Sequence, residues 1–368
     1  LKPRCGRGLG RARLGAGAMG EQFKWNPSRE RIGQMLRQAV YMEDRVTLEH
    51  LVKQRADLEA ADETGTTPLH IAATQCKCNT IKWLMDNRAD LGSKDGEGYT
   101  ALMWACVKGH SEVVTMLIAG NADIEGTTEL EEKEQGTDTA SGSGKTPLSL
   151  CAERGHFKCV QELLAKRASL THTNKDGSTP LMCAAHHTET EVVSYLLGKN
   201  SRVNETDDEG WTALMYACNA PAPPSNAGGE QMEKKVNVDG CVGKRSATEL
   251  LLLHKADANA QSADGLTPLI IASGRDRPMA VKRLLEARAQ PNLQSARGQT
   301  PLLMASAHDQ PDVVRALFMW AADPNQVNEK KDSPLSLAEK YGHKEITDLL
   351  KKAGATAPKP KKKAKKGK

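Results

Sequence analysis

The sequence predicts an all-α solenoid of stacked helix–turn–helix units with projecting turns. A Gly-x-Thr-Pro-Leu block, or a close variant, recurs with a basic spacing of 33 residues, which is typical of stacked supersecondary units. Each block carries leucine and a small residue at helical spacing, and aromatic residues make up only 4% of the chain. The blocks begin at Gly65, Gly98, Gly144, Gly177, Gly210, Gly265 and Gly298, and a degenerate copy begins at Lys331.

The first helix of each unit is predicted from the residues after the turn glycine. The threonine two places on can cap the helix, and the proline after it suits the first helical position. The leucine four places on and the small residue seven places on share one helix face. Pairs such as Gly109-His110 end this helix. The leucines are Leu69, Leu102, Leu148, Leu181, Leu214, Leu269, Leu302 and Leu335, and the small residues are Ala72, Ala105, Cys151, Ala184, Ala217, Ala272, Ala305 and Ala338.

A second helix and a reversing turn complete each unit. The second helix is indicated by paired apolar residues such as Leu163-Leu164 and Leu284-Leu285. Turn-rich segments such as residues 122–124 then lead the chain back to the next glycine.

This unit resembles the ankyrin repeat. Residues Thr67-Pro68-Leu69-His70-Ile71-Ala72 match the Thr-Pro-Leu-His-x-Ala signature of that family letter for letter, and the resemblance extends over roughly residues 30–356. It implies a protein-binding solenoid whose first helices and turn tips line a concave groove.

The period also predicts the boundaries of the array, residues 29–356. We expect repeats to start near 65, 98, 144, 177, 210, 265 and 298, between polar caps at 32–64 and 331–356. Two intervals exceed the period, which places insertions near 126–143 and 219–246. We expect both to be disordered, together with a basic leader at 1–28 and a lysine-rich tail at 357–368.

Charge and cysteine usage suggest a cytoplasmic or nuclear protein. The two termini hold twelve basic residues, and the remaining chain has seven more acidic than basic residues, which is untypical of a nucleic-acid platform. Four cysteines (Cys106, Cys151, Cys183 and Cys218) replace small core residues, as reduced thiols do. No apolar run is long enough to span a bilayer. The first 18 residues alternatively resemble an organellar targeting segment.

No segment carries a pattern for catalysis, a cofactor or a metal. Residues 143–146 read Ser-Gly-Lys-Thr, but Thr139 stands where a phosphate-binding loop needs its first glycine. Cys76 with Cys78, and Cys183 with two nearby histidines, lack the paired spacing of a structural zinc site. We therefore expect no catalytic, cofactor or metal residues.

The repeat register predicts a protein-binding surface instead. Tyr99 and Trp211 directly follow a turn glycine, where the resemblance places side chains on fingertips as binding anchors or as padding between turns. The ends of the first helices are expected to face the groove. They display Lys108, Glu153, Arg154, His186, His187, Arg275, His308 and Tyr341.

The resemblance predicts a non-catalytic scaffold or adaptor, expected to be a monomer, that binds an unidentified protein. Two alternatives remain open. The basic tail could associate with nucleic acid or an anionic surface, or the chain could be a regulatory fragment of a larger enzyme. The tail also contains a run similar to a nuclear-import signal, formed by Lys361, Lys362, Lys363, Lys365 and Lys366.

Overall fold

A computed structural model describes residues 29–128, 144–220 and 245–356. The predicted leader and tail, and nearly all of the two insertions, lie outside the described residues. Helices alternate along the described chain, so that odd numbers are first helices and even numbers are second helices. They are α1 (Arg29–Met42), α2 (Arg45–Lys53), α3 (Pro68–Thr74), α4 (Cys78–Asp86), α5 (Ala101–Lys108), α6 (Ser111–Ala119), α7 (Pro147–Glu153), α8 (Phe157–Ala165), α9 (Pro180–His186), α10 (Thr190–Gly198), α11 (Ala213–Asn219), α12 (Ala247–Leu253), α13 (Pro268–Gly274), α14 (Pro278–Glu286), α15 (Pro301–Ala307), α16 (Pro311–Met319), α17 (Pro334–Tyr341) and α18 (Lys344–Lys352).

The prediction of an all-α solenoid is confirmed. Over the described ranges, the only extended pairing outside helices and turns is an isolated bridge between Thr206 and Thr212. Each first helix packs on the first helices of the neighbouring units. Each second helix packs on its own first helix and, from α4 onward, second helices also pack on one another. No helix in these ranges combines the length and apolar character that crossing a lipid bilayer requires.

The predicted caps explain where the first helices begin and end. Thr100 precedes α5 in an extended conformation, and its hydroxyl accepts a hydrogen bond from the Met103 amide. The same contact recurs at Thr179, whose hydroxyl accepts from the Met182 amide at the start of α9. At the other end, Gly109 adopts the left-handed conformation that stops α5.

One core runs along the whole stack. The leucine four places after each turn glycine is at most 3% exposed, and the small residue seven places after it is at most 1% exposed. Truncating one of these leucines to alanine typically costs about 2–5 kcal/mol. The N-terminal unit follows the same rule, since Leu36, Ala39 and Leu51 are buried although its first helix lacks a Thr-Pro start.

Neighbouring turns are joined through their backbones. The Asp208 amide donates to the Asp176 carbonyl oxygen at 3.1 Å, and the Ala263 amide donates to the Glu209 carbonyl oxygen at 2.9 Å. Gly177 has a φ of 77°, and a Cβ added there would lie 2.8 Å from the Asp208 nitrogen. Glycine is therefore required by both its conformation and the close approach of the next turn.

Two histidines between the first and second helices of their units contact the first helix of the preceding unit. The Nε2 atom of His110 lies 3.0 Å from the Thr74 carbonyl oxygen, and that of His156 lies 2.9 Å from the Val107 carbonyl oxygen. These carbonyls belong to the last turn of the preceding first helix, where backbone acceptors lack a helical partner. The histidine after the helix-ending glycine thus links the units that begin at Gly98 and Gly144 to the units before them.

Candidate functional site

The candidate site lies on the side of the first helices that faces away from the second helices. We call this surface, together with the turn tips beside it, the inner face. It is formed by residues one, six, nine and ten places after each turn glycine. In the 144 unit, for example, Lys145 at place one contacts Glu153 at place nine, which shows that the two positions share a side of α7.

An aromatic pair lies on the inner face of the 98 unit. The rings of Tyr99 and Trp104 have centroids 5.1 Å apart and are tilted by 33°. Asp95, which is 5% exposed, holds both residues: one carboxylate oxygen accepts from Trp104 Nε1 at 2.6 Å, and the other accepts from the Tyr99 amide at 2.9 Å. Burial raises the pKa of the Tyr99 hydroxyl, so the ring is neutral at physiological pH.

A second aromatic pair lies in the 210 unit and repeats the arrangement. The rings of Trp211 and Tyr216 are 5.3 Å apart, and the Tyr216 hydroxyl donates to a carboxylate oxygen of Asp207 at 2.6 Å. Burial, together with the Asp207 carboxylate, raises the pKa of the Tyr216 hydroxyl. His186 of the preceding unit meets the edge of the Tyr216 ring at 5.5 Å.

A charged cluster separates the two aromatic pairs. Lys145 Nζ lies 2.5 Å from one oxygen of Glu153, and His187 Nε2 lies 3.9 Å from the other. Burial by itself would lower the pKa of the Lys145 ammonium, but the hydrogen bond that it donates to Glu153 and the charge of that carboxylate together outweigh burial, and the pKa is raised. Burial lowers the pKa of His187, against the opposing effect of Glu153.

Cys183 forms the floor of this cluster. Its thiol accepts a hydrogen bond from the Asn174 side-chain amide at 3.4 Å, and burial raises its pKa to about 11. The sulfur is therefore a neutral thiol at physiological pH and is a poor nucleophile.

The predicted surface residues divide into two groups. Tyr99, Glu153, His186, His187 and Trp211 come together in or beside this cluster. The remaining predicted residues lie farther along the same row of helix ends: they are Lys108, Arg154, Arg275, His308 and Tyr341, all exposed. Tyr99 and Trp211 differ from the expected fingertip anchors in that their rings lie back on the first helix of their own unit.

Besides the supporting Asp95 and Asp207, the sequence pattern does not predict three residues of the inner face, namely Trp104, Lys145 and Tyr216. Trp104 and Tyr216 are six places after their turn glycines. The predicted residues Glu153 and His186 are nine places after theirs, and positions three residues apart share a helix face. This three-residue spacing is the feature of the sequence that could have identified Trp104 and Tyr216 as inner-face residues. In the sequence, Lys145 stands out only as part of a phosphate-loop-like stretch, whereas in the structure its ammonium donates a hydrogen bond to Glu153.

Across residues 29–128, 144–220 and 245–356, no three His, Cys, Asp or Glu side chains are placed to hold a metal ion. Cys76 and Cys78 lie at the turn between α3 and α4, where the Cys78 thiol is 3.8 Å from Glu112. The import-signal-like lysines lie outside the described residues.

Comparison with known families matches the chain to the family model described as ankyrin repeats. Three copies match residues 36–128, 148–222 and 240–328, more than half of the chain. The intervals between them fall at the two places where the 33-residue period is broken. No curated protein matches the chain.

Proposed function

Since the chain belongs to the ankyrin-repeat family, whose repeats are generally protein–protein interaction modules, we propose that it is a non-catalytic scaffold or adaptor that binds a protein partner through its inner face. One observation carries this proposal. Two partly buried aromatic pairs, Tyr99 with Trp104 and Trp211 with Tyr216, lie on either side of the charged cluster around Glu153.

This arrangement has the features of a protein-binding hot spot. Partly exposed aromatic side chains surrounded by polar groups contribute much of the affinity of protein interfaces. Asp95 and Asp207 hold the aromatic pairs in place, so little side-chain entropy is lost when a partner binds. We therefore expect the partner to bind a surface that is already formed in the free protein.

We further propose that the chain acts as a monomer in the cytoplasm or nucleus. The seven cysteines among the described residues are all free thiols, and five of them are buried in the helical core. Buried free thiols are typical of proteins from reducing compartments.

The test is affinity capture with the full chain followed by mass spectrometry. One variant combines Lys108→Ala, Arg154→Ala and His187→Ala on the inner face, and a matched control combines Lys82→Ala, Lys158→Ala and Lys282→Ala on second helices. We expect the inner-face variant to lose its captured partner at an unchanged melting temperature, and the control to retain it. Equal capture by both variants would contradict the proposal.

The tail provides a second candidate function, because its last ten residues contain seven lysines and no acidic residue. Such a tail attracts polyanions in a strongly salt-dependent way. Capture that disappears on deletion of residues 357–368, and persists in the inner-face variant, would favour this alternative.

A further inference from the structure

Two cysteines separated by a single residue lie at the turn between α3 and α4. Cys76 is exposed and Cys78 is partly exposed, whereas the five other cysteines of the described residues are buried. A dissolved reagent therefore reaches this pair more readily than the thiols of the helical core.

The backbone of this turn holds the two cysteines close together. Cys76 is left-handed, with a φ of 58°, and Lys77 follows with a φ of −84° and a ψ of 68°, which is the geometry of an inverse γ-turn. The Cys78 amide closes the turn by donating to the Cys76 carbonyl oxygen at 3.0 Å. Cα atoms two residues apart are separated by at most about 7 Å in an extended chain. The bent segment is shorter, so its two Cα atoms lie within the range of about 4.4–6.8 Å that a disulfide bridges.

The two thiols also interact with each other. The pKa of the Cys78 thiol is raised, first by burial and then by the charge of Cys76 and a hydrogen bond between the two thiols. The Cys78 thiol also donates to a carboxylate oxygen of Glu112 at 3.8 Å, and this carboxylate raises the same pKa further. Cys76 is the more exposed of the two, so it meets an oxidant first, and Cys78 is placed to react with it second.

The turn also differs from the corresponding turns that link successive units. In the units that begin at Gly98 and Gly144 the two residues at these places are glycine and histidine, and the histidine contacts the preceding first helix. Cys76 and Lys77 occupy the same two places here, and Lys77 instead forms an ion pair with Glu43 at 3.4 Å. The link to the preceding unit therefore involves Lys77 rather than the Cys76 thiol.

We propose that Cys76 and Cys78 form a reversible dithiol–disulfide site that is oxidised by a small disulfide such as oxidised glutathione. The Cys76 thiolate attacks one sulfur of the oxidant, which forms a mixed disulfide and releases one glutathione thiolate. Cys78 then loses its proton to water and attacks the Cys76 sulfur, so that the Cys76–Cys78 bond forms and the second glutathione leaves as a thiolate. The two cysteines lose two electrons and two protons, and the oxidant becomes two molecules of reduced glutathione.

The position of the pair makes this chemistry reversible. Disulfides in reducing compartments are usually transient, and exposed disulfides are open to attack by reduced thiols. The inference concerns the turn between α3 and α4 and does not depend on the proposed binding of a protein partner by the inner face.

The experiment uses the full chain with Cys5→Ser and Cys241→Ser as the parent protein, so that every remaining cysteine lies among the described residues. The folded parent is incubated with excess oxidised glutathione, its free thiols are blocked, and its peptides are analysed by mass spectrometry. We expect the disulfide between Cys76 and Cys78 to exceed any glutathione adduct by at least about tenfold, because the neighbouring thiol acts at a high effective concentration. Excess reduced glutathione should then restore both thiols.

Two variants of the parent protein distinguish an internal disulfide from simple modification of an exposed thiol. In Cys78→Ser the mixed disulfide at Cys76 has no neighbouring thiol to displace the glutathione, so we expect glutathione to remain attached to Cys76. Cys183→Ser removes a buried thiol elsewhere in the array and should leave the disulfide between Cys76 and Cys78 unchanged. Circular dichroism and melting temperatures establish that both variants are folded.

Any of three results in the parent protein would overturn the inference. They are glutathione that remains attached to Cys76, a disulfide that joins two chains through Cys76, and thiols that stay free in the presence of the oxidant. Each would show that the turn does not bring the two sulfur atoms into position to react with each other. The proposed binding of a protein partner would stand in all three cases, since its test uses different residues.

Discussion

His156 Nε2 lies 2.9 Å from the backbone carbonyl oxygen of Val107, a residue of the preceding unit. The hydrogen bond joins the turn between α7 and α8 to the end of α5, the first helix of the preceding unit. Because the array is stabilised by contacts between neighbours, such links determine whether adjacent units unfold together.

Replacement of His156 by alanine is expected to destabilise the array by about 1–2 kcal/mol, because the Val107 carbonyl loses its partner. Urea denaturation followed by circular dichroism measures the change. His254→Ala is the control, since His254 is exposed at the end of α12, and should change stability by less than about 0.5 kcal/mol. Similar losses in both variants would show that the inter-unit hydrogen bond contributes little.

Asp95→Ala should both destabilise the chain and loosen the first aromatic pair. The substitution leaves Trp104 Nε1 and the Tyr99 amide without their acceptor, at a cost of about 2–3 kcal/mol. We expect a lower urea midpoint and altered near-ultraviolet circular dichroism. Asp86→Ala, at an exposed position of α4, should leave both signals unchanged. An unchanged aromatic signal in Asp95→Ala would mean that packing alone positions the rings.

Gly177→Ala and Gly198→Ala form a matched pair with opposite expected effects. At Gly177 the φ is positive and the added Cβ would lie 2.8 Å from the Asp208 nitrogen, so we expect a loss of about 1–3 kcal/mol. At Gly198, the last residue of α10, nothing lies within 4 Å of the added Cβ, so alanine should be neutral or stabilise by up to about 1 kcal/mol. Thermal melts compare the two, and equal melting temperatures would refute the turn-packing argument.

The Lys145–Glu153 ion pair predicts a pH dependence of stability at alkaline pH. The folded-state pKa of Lys145 is raised, so its contribution is complete below the unfolded value of about 10.4 and is lost as pH rises through the higher folded value. We expect Lys145→Met to be less stable than the wild type near neutral pH, with the difference shrinking above about pH 10.5. Lys158→Met, at an exposed position of α8, should show no such trend in parallel urea titrations.

Alkylation rates should distinguish the cysteines by burial. Cys76 is exposed, whereas burial raises the pKa of Cys183 to about 11 and that of Cys218 to about 12. Because the thiolate is the reacting species, iodoacetamide at mildly alkaline pH should modify Cys76 first and leave the two buried thiols intact. Peptide mass spectrometry measures each site, and prompt modification of Cys183 in folded protein would contradict its placement under the charged cluster.

The fold was predictable because its signals act over a few residues. Thr100 caps a helix through the Met103 amide three residues away, and Gly109 ends that helix by adopting the left-handed conformation. The turn glycines, the capping threonines and the buried leucines therefore define each unit within its own 33 residues. Even the polar N-terminal unit could be recognised, since counting back one period reaches Leu36 and Leu51.

The sequence by itself determined the helices, the period and the rows of residues available on the inner face. Only the tertiary structure decided which of those residues meet. His187 approaches Glu153 from the next unit, and the rings of Tyr99 and Trp211 lie against their own helices. The physical reason is that capping and turn formation are local, whereas side-chain contacts across units depend on how successive units stack.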